Sequence, residues 1–242
     1  MKKTIYIVLI LLMAACQKVN PGDCFKNSGP VSEETREVSS FVYLHMNNNV
    51  DVYLTYAPEY SVTVRAGKNV IPGIKTSVAG KTLTISNENT CNWVRSYEKP
   101  IEVHISTPRL DSIIYQASGN LISTNQFVAD SIILDVLEGA GSINLWVNMV
   151  QSTYNLHYGT VDLTVRGNSH ISYLYSGGYG PADMSGLTTV FTFMTSNSTN
   201  NCYVRASLQL DVKINNVGDV YYSGNPPGVN LEGTGTGKLY KQ

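Results

Sequence analysis

The chain has 242 residues, 14 % of them charged and 43 % hydrophobic, with a formal net charge of −1. That length supports a sizeable core, and the absence of a basic stripe excludes a nucleic-acid partner. Gly, Asn, Ser, Thr and Tyr are abundant and no long amphipathic helical pattern occurs, so the composition is that of an all-β protein.

The first fifteen residues read as a leader. Lys2-Lys3 is a charged start, and Ile5 to Met13 is an apolar stretch too short to span a bilayer. Met13-Ala14-Ala15-Cys16 then has the small residues before Cys that mark a bacterial lipoprotein leader. On this reading residues 1–15 are removed and Cys16 carries the acyl chains. Two or three chains hold a protein on a membrane where one does not. Gln17 is not an inner-membrane retention residue, so the expected place is the outer membrane, on its periplasmic or surface face. The mature chain keeps 15 Lys and Arg against 18 Asp and Glu, a net charge of −3.

Residues 16–36 are polar and contain Pro21-Gly22 and Gly29-Pro30, which predicts a tether. The envelope is oxidising. Cys24 and Cys91 lie in polar, non-periodic segments, whereas Cys202 falls in an apolar column. A Cys24–Cys91 disulfide is therefore expected, with Cys202 a free thiol that packs as a small apolar residue.

A single domain is predicted for 37–242, in two parts. In 37–108, alternating runs such as Val50-Asp-Val52-Tyr-Leu54 and Ile101-Glu-Val103-His-Ile105 predict antiparallel strands that cap one end. In 109–242 a short motif recurs, seen in Gly141-Ser-Ile143-Asn-Leu145, Gly159-Thr-Val161-Asp-Leu163 and Gly218-Asp-Val220-Tyr-Tyr222. Its anchors are 18 to 22 residues apart. A period of about 20 residues with internal alternation predicts stacked coils, a right-handed parallel β-helix. A β-sandwich of short hairpins is the competing architecture.

Several stretches of this chain resemble the head GIN domain family, adhesin-like lipoproteins of Gram-negative bacteria. They are Val38-Ser-Ser-Phe41 with Asn49-Val-Asp51-Val-Tyr-Leu54, Tyr60-Ser-Val-Thr-Val-Arg65, Gly80-Lys-Thr-Leu-Thr-Ile85, Pro100-Ile-Glu-Val-His-Ile105 and the Gly repeats. The resemblance covers about Glu37 to Tyr240. It implies a β-helical envelope protein with an adhesive role and no catalytic residues.

The candidate sites lie in the outward column of the repeats. Asp162 and Asp183 are weak metal candidates: placed one coil apart in a shared column, two carboxylates would bind a cation. Tyr203, Tyr221 and Tyr240 form an aromatic ladder able to stack on a sugar or a protein surface. The four His have no metal spacing, and no nucleophile elbow or phosphate loop occurs. The expectation is a non-enzymatic, lipid-anchored binding protein without a cofactor, whose partner is an envelope glycan or a protein. A carbohydrate-binding or carbohydrate-active β-helix is the alternative, and an assembly through the coil ends is a third.

Overall fold

The computed structural model describes residues 27–90 and 101–242. Cys16, Cys24 and Cys91 lie outside those residues. The chain forms β1 (Val31–Arg36), β2 (Tyr43–Asn48), β3 (Asp51–Tyr56), β4 (Ser61–Gly67), β5 (Ile74–Ala79) and β6 (Thr82–Asn87). After these come β7 (Ile101–Thr107), β8 (Ser112–Ala117) and β9 (Leu121–Ser123). Four long strands follow: β10 (Phe127–Gly139), β11 (Ser142–Leu156), β12 (Asp162–Ser176) and β13 (Ala182–Ser196). The last are β14 (Cys202–Arg205), β15 (Gln209–Ile214), β16 (Val220–Ser223), β17 (Gly228–Glu232) and β18 (Leu239–Lys241).

These strands wind into stacked coils with parallel pairing from β8 to β18, a β-solenoid of about 20 residues per turn. Two principal faces result. Face A stacks β6, β2, β8, the second halves of β10 to β13, then β15 and β17. Face B stacks β7, β3, β9, the first halves of β11 to β13, then β14, β16 and β18.

The long strands turn a corner without a loop. In β11 the alternation breaks at Val150-Gln151, which both point outward between buried Met149 and Ser152. The same doubling occurs at His170 and Val190, one coil further on each time. At this corner the interior carries hydroxyls, which are satisfied by one another and by backbone carbonyls. Ser152 Oγ donates to Ser169 Oγ at 2.9 Å, and Thr189 and Thr192 both donate to the Arg205 carbonyl.

Each face contributes apolar columns to one core. On face A, Leu83, Leu44, Ile113, Leu134, Tyr154, Leu174, Met194 and Val212 stack in register. On face B, Val103, Val52, Leu121, Ile143, Leu163, Ala182, Cys202 and Val220 do the same. All sixteen are buried. A large aliphatic side chain in such a column contributes about 1.5–3 kcal/mol by leaving water.

Two features of the first 108 residues differ from the sequence reading. Residues 31–36 are not tether: β1 pairs antiparallel with β4, from Val31 opposite Gly67 to Arg36 opposite Val62. The backbone before β1 is also tied down, since Lys68 N donates to Pro30 O at 2.8 Å. Furthermore, β2 and β3 are not part of the antiparallel cap. They lie parallel between β6–β7 and β8–β9, so a later segment of chain stacks outside an earlier one. Among the described residues antiparallel pairing is confined to β1, β4 and β5 at that end of the stack, joined to β7 and β6.

Candidate functional site

A solenoid displays its function on the outward columns, because the inward ones are consumed by packing. On face B one outward column runs His104, Tyr53, Ile122, Asn144, Thr164, Asp183, Tyr203, Tyr221 and Tyr240. The three tyrosines at its end stack. Tyr203 and Tyr221 have ring centroids 5.1 Å apart and planes 17° apart; for Tyr221 and Tyr240 the values are 5.3 Å and 22°. Loss of solvent, then Asp219 and the flanking tyrosines, push the Tyr221 hydroxyl up. At the other end Tyr53 stacks on His104 at 4.8 Å. Beside that pair, Arg65 and His104 both donate to Glu102 Oε2, at 2.8 and 3.1 Å. Burial opposes the Glu102 charge, but these two bonds outweigh it and hold its carboxyl below the usual range.

Asp162 and Asp183 are not neighbours in a column. Asp183 lies across from Thr164, and Asp162 lies across from Ser142. The reason is the glycine corner. Gly159 has φ +97° and its Cα faces Gly139 O, so it stacks on Gly139 and not on Gly141. The coil is therefore two residues longer before its strand begins, and Leu163 fills the inward position in place of Val161. Asp183 Oδ1 instead accepts from Ser185 N and Ser185 Oγ, at 3.0 and 2.6 Å. Among the described residues no group of three His, Cys, Asp or Glu is placed to share a metal ion.

Face A carries a second aromatic group that the sequence reading missed. Its outward columns are Ile133, Thr153, Tyr173, Phe193, Asp211 and Asn230, and beside it Asp135, Asn155, Tyr175, Thr195, Lys213 and Glu232. Tyr173 stacks on Phe193 at 5.3 Å with planes 18° apart. Beyond Phe193 the column drops to the short side chains Asp211 and Asn230, and a depression of about 500 Å³ runs between the two columns from Asn155 and Tyr175 past this step to Glu232. The available signal was two aromatic residues 20 positions apart, one coil period. It passed unread because neither sits next to a repeat glycine.

Two other exposed arginines are engaged locally. Arg166 lies over the Trp146 ring at 4.9 Å. A larger depression, about 830 Å³, borders Tyr43, Val128 and Ile133, but its Arg109 and Asp111 pair with each other at 2.7 and 2.8 Å. Cys202 is buried and free; burial pushes its thiol up, and the Ser176 and Ser196 hydroxyls pull it partly back.

A family model described as "Putative auto-transporter adhesin, head GIN domain" matches residues 40–226. The chain belongs to the head GIN domain family. Solved structures agree with that assignment at the level of fold. One described as a "putative adhesin" from Bacteroides fragilis superposes with a TM-score of 0.79 at 17 % identity, covering 88 % of this chain and 97 % of that one. A "putative adhesin" from Parabacteroides distasonis gives 0.66 at 14 % identity, covering 88 % and 98 %. A "putative lipid binding protein" from the same species gives 0.66 at 15 %, covering 89 % and 98 %. A search of curated proteins found no significant match. The two aromatic groups of this head GIN domain both lie toward the C-terminal end of the stack, away from β1.

Proposed function

We propose that this head GIN domain is a non-catalytic, adhesive binding protein held on the outer membrane through acylated Cys16, with its contact surface on the outward aromatic columns. The observation that carries the reading is the Tyr203–Tyr221–Tyr240 stack. It spans three coils on the solvent side and supports no inward packing. The placement suits adhesion. The chain enters the fold at β1, at one end of face B, and the tyrosines close the other end. Eight to ten strand spacings of about 4.8 Å put the stack roughly 40–50 Å from that entry. No helix among the described residues is long and apolar enough to cross a membrane.

Two measurements test this. A clickable fatty-acid analogue should label the wild-type protein in cells and not the Cys16→Ala variant; equal labelling removes the anchor. Cells displaying the protein should adhere to envelope or host-surface preparations, and Tyr203→Ser with Tyr221→Ser should abolish adhesion without changing the melting temperature by more than about 2 °C. Adhesion unaffected by that double change would move the contact surface elsewhere.

A further inference from the structure

We infer that the step between Phe193 and Asp211 on face A is a binding site for a neutral glycan. The inference rests on the adhesive reading and names the ligand class and a site for it. Stacked aromatic columns normally hide their ring faces, because each ring covers the next. Tyr173 covers one side of Phe193 in this way. On the other side the register supplies Asp211, too small to cover the ring. The result is an aromatic wall beside a polar patch, inside a groove whose whole volume is about 500 Å³, within the range of small-ligand sites.

The patch is set up for hydrogen bonding and is only partly satisfied within the protein. Asp211 Oδ1 accepts from Gln209 Nε2 at 2.6 Å and from Asn230 Nδ2 at 2.8 Å, which fixes the carboxylate. Among the described residues its Oδ2 accepts no hydrogen bond. Lys213 and Glu232 face each other in the adjoining column without forming an ion pair. The Asp211 carboxylate is held in place, and Lys213 and Glu232 are exposed to solvent.

This arrangement matches a pyranose. A sugar ring has an apolar C–H face that packs on an aromatic ring and a hydroxyl edge that bonds to carboxylate, amide and ammonium groups. Two carboxylates against one ammonium disfavour acidic ligands such as uronates. A wholly apolar ligand would strand the polar patch without partners. A chain laid along the stack passes from the Phe193 ring to Asp211 and then to Asn230, about 4.8 Å per coil.

The test uses the full mature chain. It is titrated by calorimetry with cellotetraose, maltotetraose, the N-acetylglucosamine tetramer and tetragalacturonate. Binding of at least one neutral probe is expected, with none of tetragalacturonate. Phe193→Ala should weaken it about tenfold, the loss of one aromatic contact. Because that change could also disturb the fold, Asp211→Tyr serves as the second variant. It extends the Tyr173–Phe193 stack, fills the step and should abolish binding while the melting temperature holds. Tyr158→Ser, at an exposed tyrosine outside both aromatic groups, should leave probe binding unchanged. Three outcomes overturn the site: no heat with any neutral probe, binding that survives Asp211→Tyr, or preference for tetragalacturonate. If the probes fail while Tyr203- and Tyr221-dependent cell adhesion persists, the glycan site falls and the adhesive function stands. If wild-type cells do not adhere at all, the functional reading falls.

Discussion

Replacing Tyr154 with Phe should stabilise the protein, whereas the same change at Tyr115 should destabilise it. Both rings are fully buried in face A. The Tyr115 hydroxyl donates across to Gly119 O at 2.6 Å and also reaches Ala140 O. It thereby ties together the corner turns of two successive coils. Burial, with Asp51 adding to it, pushes that hydroxyl up to about 12. Burial raises the Tyr154 hydroxyl too and the nearby Ser152 pulls it only partly back, but among the described residues no partner meets hydrogen-bond geometry with it. The adjacent Ser152 donates to Ser169 instead. A Phe keeps the ring in both places, so no cavity term enters. Tyr115→Phe leaves buried carbonyls without their donor and should cost about 2 kcal/mol, a fall in Tm of about 4–8 °C. Tyr154→Phe removes an unsatisfied hydroxyl and should gain about 1 kcal/mol, a rise of about 2–4 °C. Circular dichroism melts of the two variants decide it. Equal losses in both would mean that Tyr154 is satisfied in the folded protein, and the reasoning would fail.

Gly159→Ala should destabilise by about 2–4 kcal/mol in urea titrations, from the positive φ and the overlap of the new Cβ with Gly139 O; a loss under 1 kcal/mol would refute the corner geometry. The depressed carboxyl of Glu102 contributes stability that is present above its ordinary value of 4.5 and lost as pH falls through its lower folded value. Wild type should thus lose stability below about pH 4.5 more steeply than Glu102→Gln, and parallel pH profiles would exclude the Arg65–His104 bonds as the cause. Cys202 should not react with a thiol reagent at pH 8 until denaturant is added, since burial keeps it protonated and out of reach; rapid reaction of the native protein would contradict its inward position.

Much of the site was readable from residue order, and the part that was not has a specific cause. Tyr203, Tyr221 and Tyr240 are legible because each lies three positions after its anchor, and the anchors Asn200, Gly218 and Gly237 stack on one another. Asp162 was misplaced because the turn before β12 is two residues longer. A slip of two keeps every side chain on its own side of the sheet, so alternation is blind to it. Only the stacking of Gly159 on Gly139 reveals the offset. Tyr173 and Phe193 were missed for a related reason. The step they border exists because the next residue in that column is Asp211, 18 positions on, and which residue comes next depends on the whole register.

The amino-acid order by itself determined an all-β chain, a coil of about 20 residues, an apolar inward column and the family. These follow from local rules: alternation of period two, glycine at tight corners and a repeat that buries its face only by stacking. The tertiary structure alone decided that β2 and β3 insert between β6–β7 and β8–β9, that residues 31–36 form a strand against β4, and that face A carries an aromatic step. Each of these depends on hydrogen bonding between strands far apart in sequence. That pairing is fixed by the packing of the complete stack, which no short stretch of chain encodes.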